Sequence, residues 1–448
     1  MKPALHRFLS DYGMIFVLLL LCAFFSAVTL TEQNPTGETA ARQLAADLGH
    51  SPGKGGRVLI AVRQQADDAI FARELEKALT ASGVQVAAVV AGEPRDARET
   101  LQKLATAGTP LDAIAGNQVT ASWLVFSDLA TDFPALGHPR IVKPRSYRWP
   151  NFLKSENLLN IANQIAVIAI VAIGMTMVII TAGIDLSVGS LIALSAVLAA
   201  RFIRDYAGAL HASTAGMTFA CLAAIVLCGL VGAFSGGMIT IFRIPPFIVT
   251  LAMMLVGSGL AYLLAQGQSI YQLPDSFVWL GRGADFLHIP NAVLLMLVLY
   301  ALAHVLMSRM RLGRYLYAVG GNREAARLSG VPVQRVLLFA YAASGLLAGL
   351  GGVIMASQLK SGSPTYGNMY ELYIIAAVVV GGTSLSGGEG RMLGTLVGAF
   401  TIAVIQNGMN LTNVESYTQK VVLGLVILAA VLLDTVRHRS SNQSGAAD

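Results

Sequence analysis

Residues 308–335, SRMRLGRYLYAVGGNREAARLSGVPVQR, carry six arginines and one acid between two long uncharged stretches. A short helix is written into them. Asn322 is a good N-cap, Glu324 puts negative charge in the first turn, Gly330 stops the helix and Pro332 prevents its resumption. The chemistry offered is docking: Arg323 and Arg327, four apart, can meet acids on a partner, and Ala325 and Ala326 permit close approach. A solvated loop whose arginines only set topology is the plainer alternative. Few other groups are placed for chemistry. Asp185 is the sole acid between two apolar runs, read either as a helix cap near an interface or as part of a translocation path or gate. His304 lies near the end of an apolar run, where a satisfied or interfacial histidine is commoner than a proton relay.

The chain has no GxxxxGK[ST], kinase set, HExxH or GxSxG, so it hydrolyses neither ATP nor peptides by a recognised motif and is not expected to be an enzyme. The cysteines Cys22, Cys221 and Cys228 lie in apolar stretches without metal-site or disulfide spacing, and no metal is expected. Two motifs share Gly, Leu, Ser and Gly at corresponding positions: Gly183-Ile-Asp-Leu-Ser-Val-Gly189 and Gly382-Thr-Ser-Leu-Ser-Gly-Gly388. Each follows one apolar run and precedes another, so each reads as a helix break. Glycine permits the break, and Asp185 and Ser187 can satisfy amides freed at a new N-terminus.

The elements that must position these residues are membrane helices. With 55% hydrophobic and 12% charged residues over 448 residues, and a mean hydropathy of +0.63, the chain has more apolar surface than one water-soluble core can use. Ten runs can cross a bilayer: 12–31, 157–184, 186–200, 212–242, 244–274, 289–308, 336–359, 372–388, 392–414 and 421–433. The run 372–388 is the least regular, since only its first nine residues are continuously apolar before GGTSLSGG. Basic residues in the short loops place 308–335, Arg243, Arg391, Arg437 and Arg439 inside, with both termini cytoplasmic. The positive charge orients the chain in a membrane and does not point to nucleic acid. The first run is read as an uncleaved anchor. The alternative is a cleaved signal peptide, suggested by Lys2, Arg7 and the small residues 26–28.

Residues 31–150 hold 26 of the 56 charged residues, 13 of each sign, and form an expected extracytoplasmic α/β domain between spans 1 and 2. Strands are predicted at 57–62, 84–92 and 111–116 and helices at 67–83 and 94–108, with Ile70, Leu75 and Leu79 on one helix face and a parallel sheet. WLVFSDL (123–129) and RIVK (140–143) suggest further elements, and KPRSYRWPNF leads back to the membrane. No GxGxxG follows the first strand, and the GKGG string at 53–56 precedes it, so an accessory packing role is favoured over ligand sensing.

The segments 174–200, 313–333 and 376–399 together resemble the permease subunit of ribose-type sugar ABC importers over about 151–436. The same superfamily includes branched-chain amino-acid permeases, but the GIDLSVGS and GGTSLSGG strings look closer to the sugar branch. The resemblance implies an all-α polytopic membrane protein of about ten transmembrane helices, type II ABC importer-like, in a bacterial cell inner membrane. It implies a cytoplasmic ATP-binding subunit that hydrolyses ATP, an extracytoplasmic sugar-binding protein and a second permease subunit, with no cofactor bound by this chain. The domains expected are an anchor at 1–30, the α/β domain at 31–150, the permease at 151–436 and a cytoplasmic tail at 437–448. The family's coupling segment falls on Gly313 to Val331, where Gly313, Gly321, Asn322, Arg323, Glu324, Ala325, Ala326, Arg327 and Gly330 form the expected ATPase-coupling helix. Gly183, Asp185, Ser187, Gly189, Gly382, Ser384, Ser386 and Gly388 are the expected path or gate. The alternatives are an ion-coupled carrier of a small polar solute and a branched-chain amino-acid permease. The 120-residue insertion departs from the family pattern; its opening faintly resembles a sugar-binding-protein lobe, which suggests contact with the binding protein or partial substitution for it.

Overall fold

The computed structural model describes the backbone of residues 2–51 and 54–444 and the side chains of 13–51 and 54–432. Gly53 of the GKGG string lies outside the described residues, as do the last four residues of the expected tail. The chain divides into two compact units, one of residues 30–150 and the other of residues 1–29 with 151–448.

The membrane unit opens with α1 (Lys2–Val28). Its Phe25 is buried, stacks on Phe152 at 6.2 Å and lies over Gly408, where any Cβ would overlap the ring. Thr29 Oγ1 accepts from the Phe152 amide at 3.1 Å, so the two points where the chain leaves and rejoins this unit are tied together.

The intervening unit, 30–150, is an α/β layer. In order it contains β1 (Leu30–Gln33), α2 (Gly37–His50), β2 (Arg57–Val62), α3 (Ala66–Ala81), β3 (Gln85–Ala91), α4 (Pro94–Thr106), β4 (Ala113–Gly116), α5 (Leu129–Asp132), β5 (Arg140–Val142) and β6 (Tyr147–Pro150). The parallel sheet has order β3-β2-β4-β5. Along β2 the side chains alternate: Val58, Ile60 and Val62 pack with α2 and α3, while Leu59 and Ala61 pack with α4 and the turns at 126–136. β1 and β6 pair antiparallel, Leu30 opposite Pro150, and so close the unit at its own two ends. Two details differ from the sequence reading. Ile70 is 45% exposed, and Phe71 and Ala72 join Leu75 and Leu79 in the core, because positions i, i+4 and i+8 share a face where i+5 and i+9 drift off it. α2 is not among the expected elements, although Ala40, Ala41, Leu44 and Leu48 have the spacing of a buried helical stripe.

The membrane unit continues with α6 (Ser155–Ile180), α7 (Val188–Tyr206), α8 (Thr214–Ile241), α9 (Pro246–Ala265), α10 (Trp279–Arg282), α11 (Asn291–Arg309), α12 (Arg311–Gly321), α13 (Arg323–Leu328), α14 (Val333–Leu359), α15 (Tyr370–Val380), α16 (Met392–Leu411) and α17 (Ser416–Ser444). Among the described residues six helices are long and apolar enough to cross a membrane: α6, α8, α9, α11, α14 and α16. Shorter apolar helices are Gly13–Val28, Tyr370–Val380 and Ser416–Leu432. α6 is apolar and buried throughout 165–180, whereas α8 and α9 leave broad apolar faces uncovered, as lipid-facing helices do. α8 and α14 interlock through Gly232 and Gly236 on one and Gly345 and Gly349 on the other. A Cβ on Gly232 would collide with the Tyr341 carbonyl, and one on Gly345 with that of Cys228.

The irregular run at 372–388 has a structural cause. α15 is only 11 residues long, and the chain before it, 361–369, runs as non-helical backbone along α7. Gly362 lies against Ala196 and Ala200, and Gly367 against Gly189 and Ile192. Ser361 and Ser363 are buried there. Non-helical backbone of this kind survives in a membrane protein only where protein covers it or a cavity receives it.

Candidate functional site

The first helix break begins at the carboxyl end of α6. Ala182 takes a left-handed conformation (φ 58°) and the chain turns back before α7. Asp185 is buried, with Oδ1 accepting from the Ser187 amide at 3.0 Å and from Ser187 Oγ at 2.6 Å, and Oδ2 accepting from Ser344 Oγ at 2.7 Å. The first pair is an Asx turn that starts α7; the third bond pins that turn to α14. Ser344 is the twelfth residue of the 27-residue α14, roughly 16 Å along it at about 1.5 Å per residue. Asp185 therefore lies beside the middle third of α14. Gly183 faces the buried Tyr341 hydroxyl, which has no hydrogen-bond partner among the described residues and would clash with a Cβ at 183. Gly189 faces the Glu371 carboxylate and the Gly367 carbonyl, the latter 2.6 Å from an ideal Cβ.

The second break, 381–390, is a tight loop. Ser384 is buried, its Oγ accepts from the Ser386 amide at 3.2 Å, and Gly382 is left-handed (φ 87°). The loop meets the first break directly: the Gly388 amide donates to the Ile180 carbonyl at 2.8 Å, and a Cβ on Gly387 would lie 2.8 Å from that of Ala182.

Both breaks rest on α12. A Cβ on Gly320 would run into the Ile180 carbonyl oxygen and lie 2.5 Å from the Gly388 nitrogen, and Tyr317 donates to the Gly390 carbonyl at 2.7 Å. α12 is amphipathic, with Gly313, Leu316 and Val319 buried. It passes directly into α13, whose N-cap Asn322 accepts from the Ala325 amide at 2.9 Å and whose end is marked by Gly330 at φ 80°. Arg323, Glu324, Ala325 and Arg327 are exposed. Arg327 pairs with Glu324 at 2.8 Å on the helix's own surface. Ala326 differs from the docking role expected from sequence: it is only 5% exposed and packs inward, because a six-residue helix lying on a bundle must bury one position per turn. Leu328, 82% exposed beside it, is an apolar surface residue that sequence reasoning did not single out. Gly321, expected to shape the helix, has open space around it, and the tight contact belongs to Gly320.

At the opposite end of this unit, Lys360 pairs with Asp275, and that hydrogen bond holds the Asp275 carboxyl below the usual carboxylate range. Between α6, α14, α15 and α16 at this end lies a cavity of about 250 Å³. None of the eight path or gate residues lines it. His304 lies on α11, where its carbonyl accepts from Ser308 Oγ at 2.6 Å.

Residues 157–431 match the family described as branched-chain amino acid transport system / permease component. The ribose import permease protein RbsC of Escherichia coli (strain K12) is 44% identical over 293 residues, 64% of this chain and 88% of that protein. The D-allose transport system permease protein AlsC of the same strain is 35% identical over 283 residues, 63% of this chain and 84% of AlsC. Its xylose transport system permease protein XylH is 33% identical over 351 residues, 65% of this chain and 87% of XylH. No solved structure matches the chain.

Proposed function

The chain belongs to the branched-chain amino acid transport system / permease component family, with the ribose-type sugar-importer permeases among its relatives, and from that premise we propose how it works. It is the permease subunit of an ABC importer of a sugar, a transport component and not an ATPase. α13 is the surface through which a cytoplasmic ATP-binding subunit drives it, and the sugar is a monosaccharide delivered by an extracytoplasmic binding protein. A second permease subunit completes the path, and ATP is hydrolysed by the partner.

The observation that carries this reading is the junction of Gly320, Ile180 and Gly388. A capped helix with an exposed face is joined by a single residue, Asn322, to α12, and α12 touches both helix breaks with backbone-to-backbone contacts. Displacement of α13 is thus transmitted to α6, α7, α15 and α16 without an intervening flexible side chain. The interlocked glycines keep α8 and α14 together while this happens, so the motion is a rocking of packed helices. Asp185 acts here as a structural pin that keeps the α6–α7 break attached to α14 during that motion. The path or gate is the pair of breaks.

The topology that fits is ten crossings by α1, α6, α7, α8, α9, α11, α14, α15, α16 and α17 in an inner membrane. α1 is a retained anchor, as the burial of Phe25 against Gly408 favours. Residues 30–150 then lie outside and both termini inside, in keeping with the arginines of 308–335.

The test is co-purification from native membranes in mild detergent. The wild-type chain is expected to carry an ATP-binding subunit, and Ala325→Arg with Leu328→Arg is expected to lose it while still reaching the membrane. Equal recovery of the ATPase with both forms would remove α13 as the coupling site.

A further inference from the structure

The end of the membrane unit where α6 begins and α14 and α16 finish collects amide side chains. Gln164, Gln358 and Gln406 line the 250 Å³ cavity together with Tyr370; the remaining lining residues are Ile, Leu, Met and Ala, and none of the ten is charged. Gln358 is held in place by its Nε2 donating to the Asn163 carbonyl at 2.9 Å. Close by, Asn157 and Asn407 exchange amide hydrogen bonds at 3.1 Å and 2.9 Å between α6 and α16. Gln164 and Gln406 have no side-chain hydrogen bond to any described residue. The scaffold is therefore braced by satisfied amides, and two further amides are left over in the cavity.

A primary amide presents two donors and a carbonyl acceptor without net charge. A hydroxyl is likewise donor and acceptor, so a cluster of amides matches a polyol whichever way each hydroxyl turns. A zwitterionic amino acid needs something else, namely a cation or open helix N-terminus for its carboxylate and an anion for its ammonium. The nearest helix N-terminus, that of α15, carries its own carboxylate in the first turn, Glu371. The volume lies just under the roughly 300 Å³ at which pockets for drug-sized ligands begin, as befits a small solute.

We propose that this cavity is a recognition chamber within the permease for a neutral polyhydroxylated solute of monosaccharide size. Gln164, Gln358 and Gln406 exchange hydrogen bonds with its hydroxyls, and Tyr370 lies against a carbon face. The proposal rests on the sugar-import reading and adds to it that the permease itself, and not only a binding protein, rejects charged solutes.

The experiment is uptake of labelled ribose, allose, xylose and leucine by cells expressing the full chain with its partner subunits, comparing wild type with Gln164→Leu/Gln406→Leu. Sugar uptake is expected to fall by at least roughly tenfold, with the amount of permease in the membrane and of co-purified ATPase unchanged. A second measurement uses Gln164→Cys, labelled by a membrane-impermeant maleimide above the background of Cys22, Cys221 and Cys228. Excess transported sugar is expected to slow that labelling and leucine is not. Sugar uptake in the double variant within twofold of wild type, or labelling indifferent to the sugar, would overturn the chamber. Import of leucine and of no sugar by the wild type would overturn the sugar reading itself.

Discussion

Gly320 and Gly321 are neighbours under opposite constraints. A Cβ on Gly320 would run into the Ile180 carbonyl and the Gly388 amide, whereas one on Gly321 would face open space. Gly320→Val cannot be accommodated while the helices hold position, because both neighbours are backbone atoms. The strain is relieved by parting α12 from the breaks, so sugar uptake should collapse while the ATPase remains bound. Gly321→Ala should leave uptake near wild type. Transport assays on the two variants in parallel check this, and equal effects would break the link between this contact and coupling. Asp185 yields another contrast. Asp185→Asn keeps an acceptor for the Ser187 amide and hydroxyl and can donate to Ser344 Oγ, so stability should change by less than about 1 kcal/mol and uptake should persist. Asp185→Leu strands three donors and should cost about 3 kcal/mol or more, seen as loss of folded protein in detergent. Abolished uptake in a stably folded Asp185→Asn protein would instead make Asp185 a proton carrier.

At the scale of elements, the capped helix 323–328 is legible in the sequence because its signals are local: one cap residue, one first-turn acid, one glycine and one proline. The direction each side chain faces is not, since a short amphipathic helix shows its inner side only when the bundle beneath it is known. Hence Ala326 is expected on the exposed face and packs beneath it, while Leu328 is exposed there without any local signal. The broken span is half visible. GGTSLSGG marks the end of α15, but Ser361, Gly362, Ser363 and Pro364 fall outside the ten expected runs, because polarity does not tell buried irregular backbone from solvated backbone. Likewise Gln164, Gln358 and Gln406 are scattered over 243 positions and converge only in the folded bundle. The packing of α15 against α7 gives a prediction at this scale. Gly189→Ala places a methyl at van der Waals overlap with Glu371 and Gly367 and should move α15 away from the start of α7. Uptake is expected to fall severalfold with no loss of co-purified ATPase, measured in the same membranes.

The whole molecule is two units whose boundaries are closed separately. β1 pairs with β6 at the ends of the α/β unit, and the Thr29 hydroxyl accepts from the Phe152 amide at the matching ends of the membrane unit. An insertion with adjacent ends can be added or removed with little disturbance to its host. Deleting 36–145 spares both strands of the β1–β6 pair, so the permease is expected to reach the membrane and bind its ATPase normally. If the unit contacts a sugar-delivering protein, uptake should fall, and undiminished uptake would show that it has no part in transport. Charge density and strand-helix alternation announce this unit in the sequence; its helix α2 and the closing strands are less visible, since four-residue strands carry little periodic signal. The central claim, that this chain is the sugar-conducting half of a machine powered by a partner's ATP, is tested most directly by energy dependence. Uptake of labelled ribose, allose and xylose should be followed in cells holding the chain and its partners, once with ATP depleted and once with ion gradients collapsed. At least one sugar should accumulate, cease to do so without ATP and continue without the gradients; accumulation that follows the gradients and ignores ATP would contradict the account.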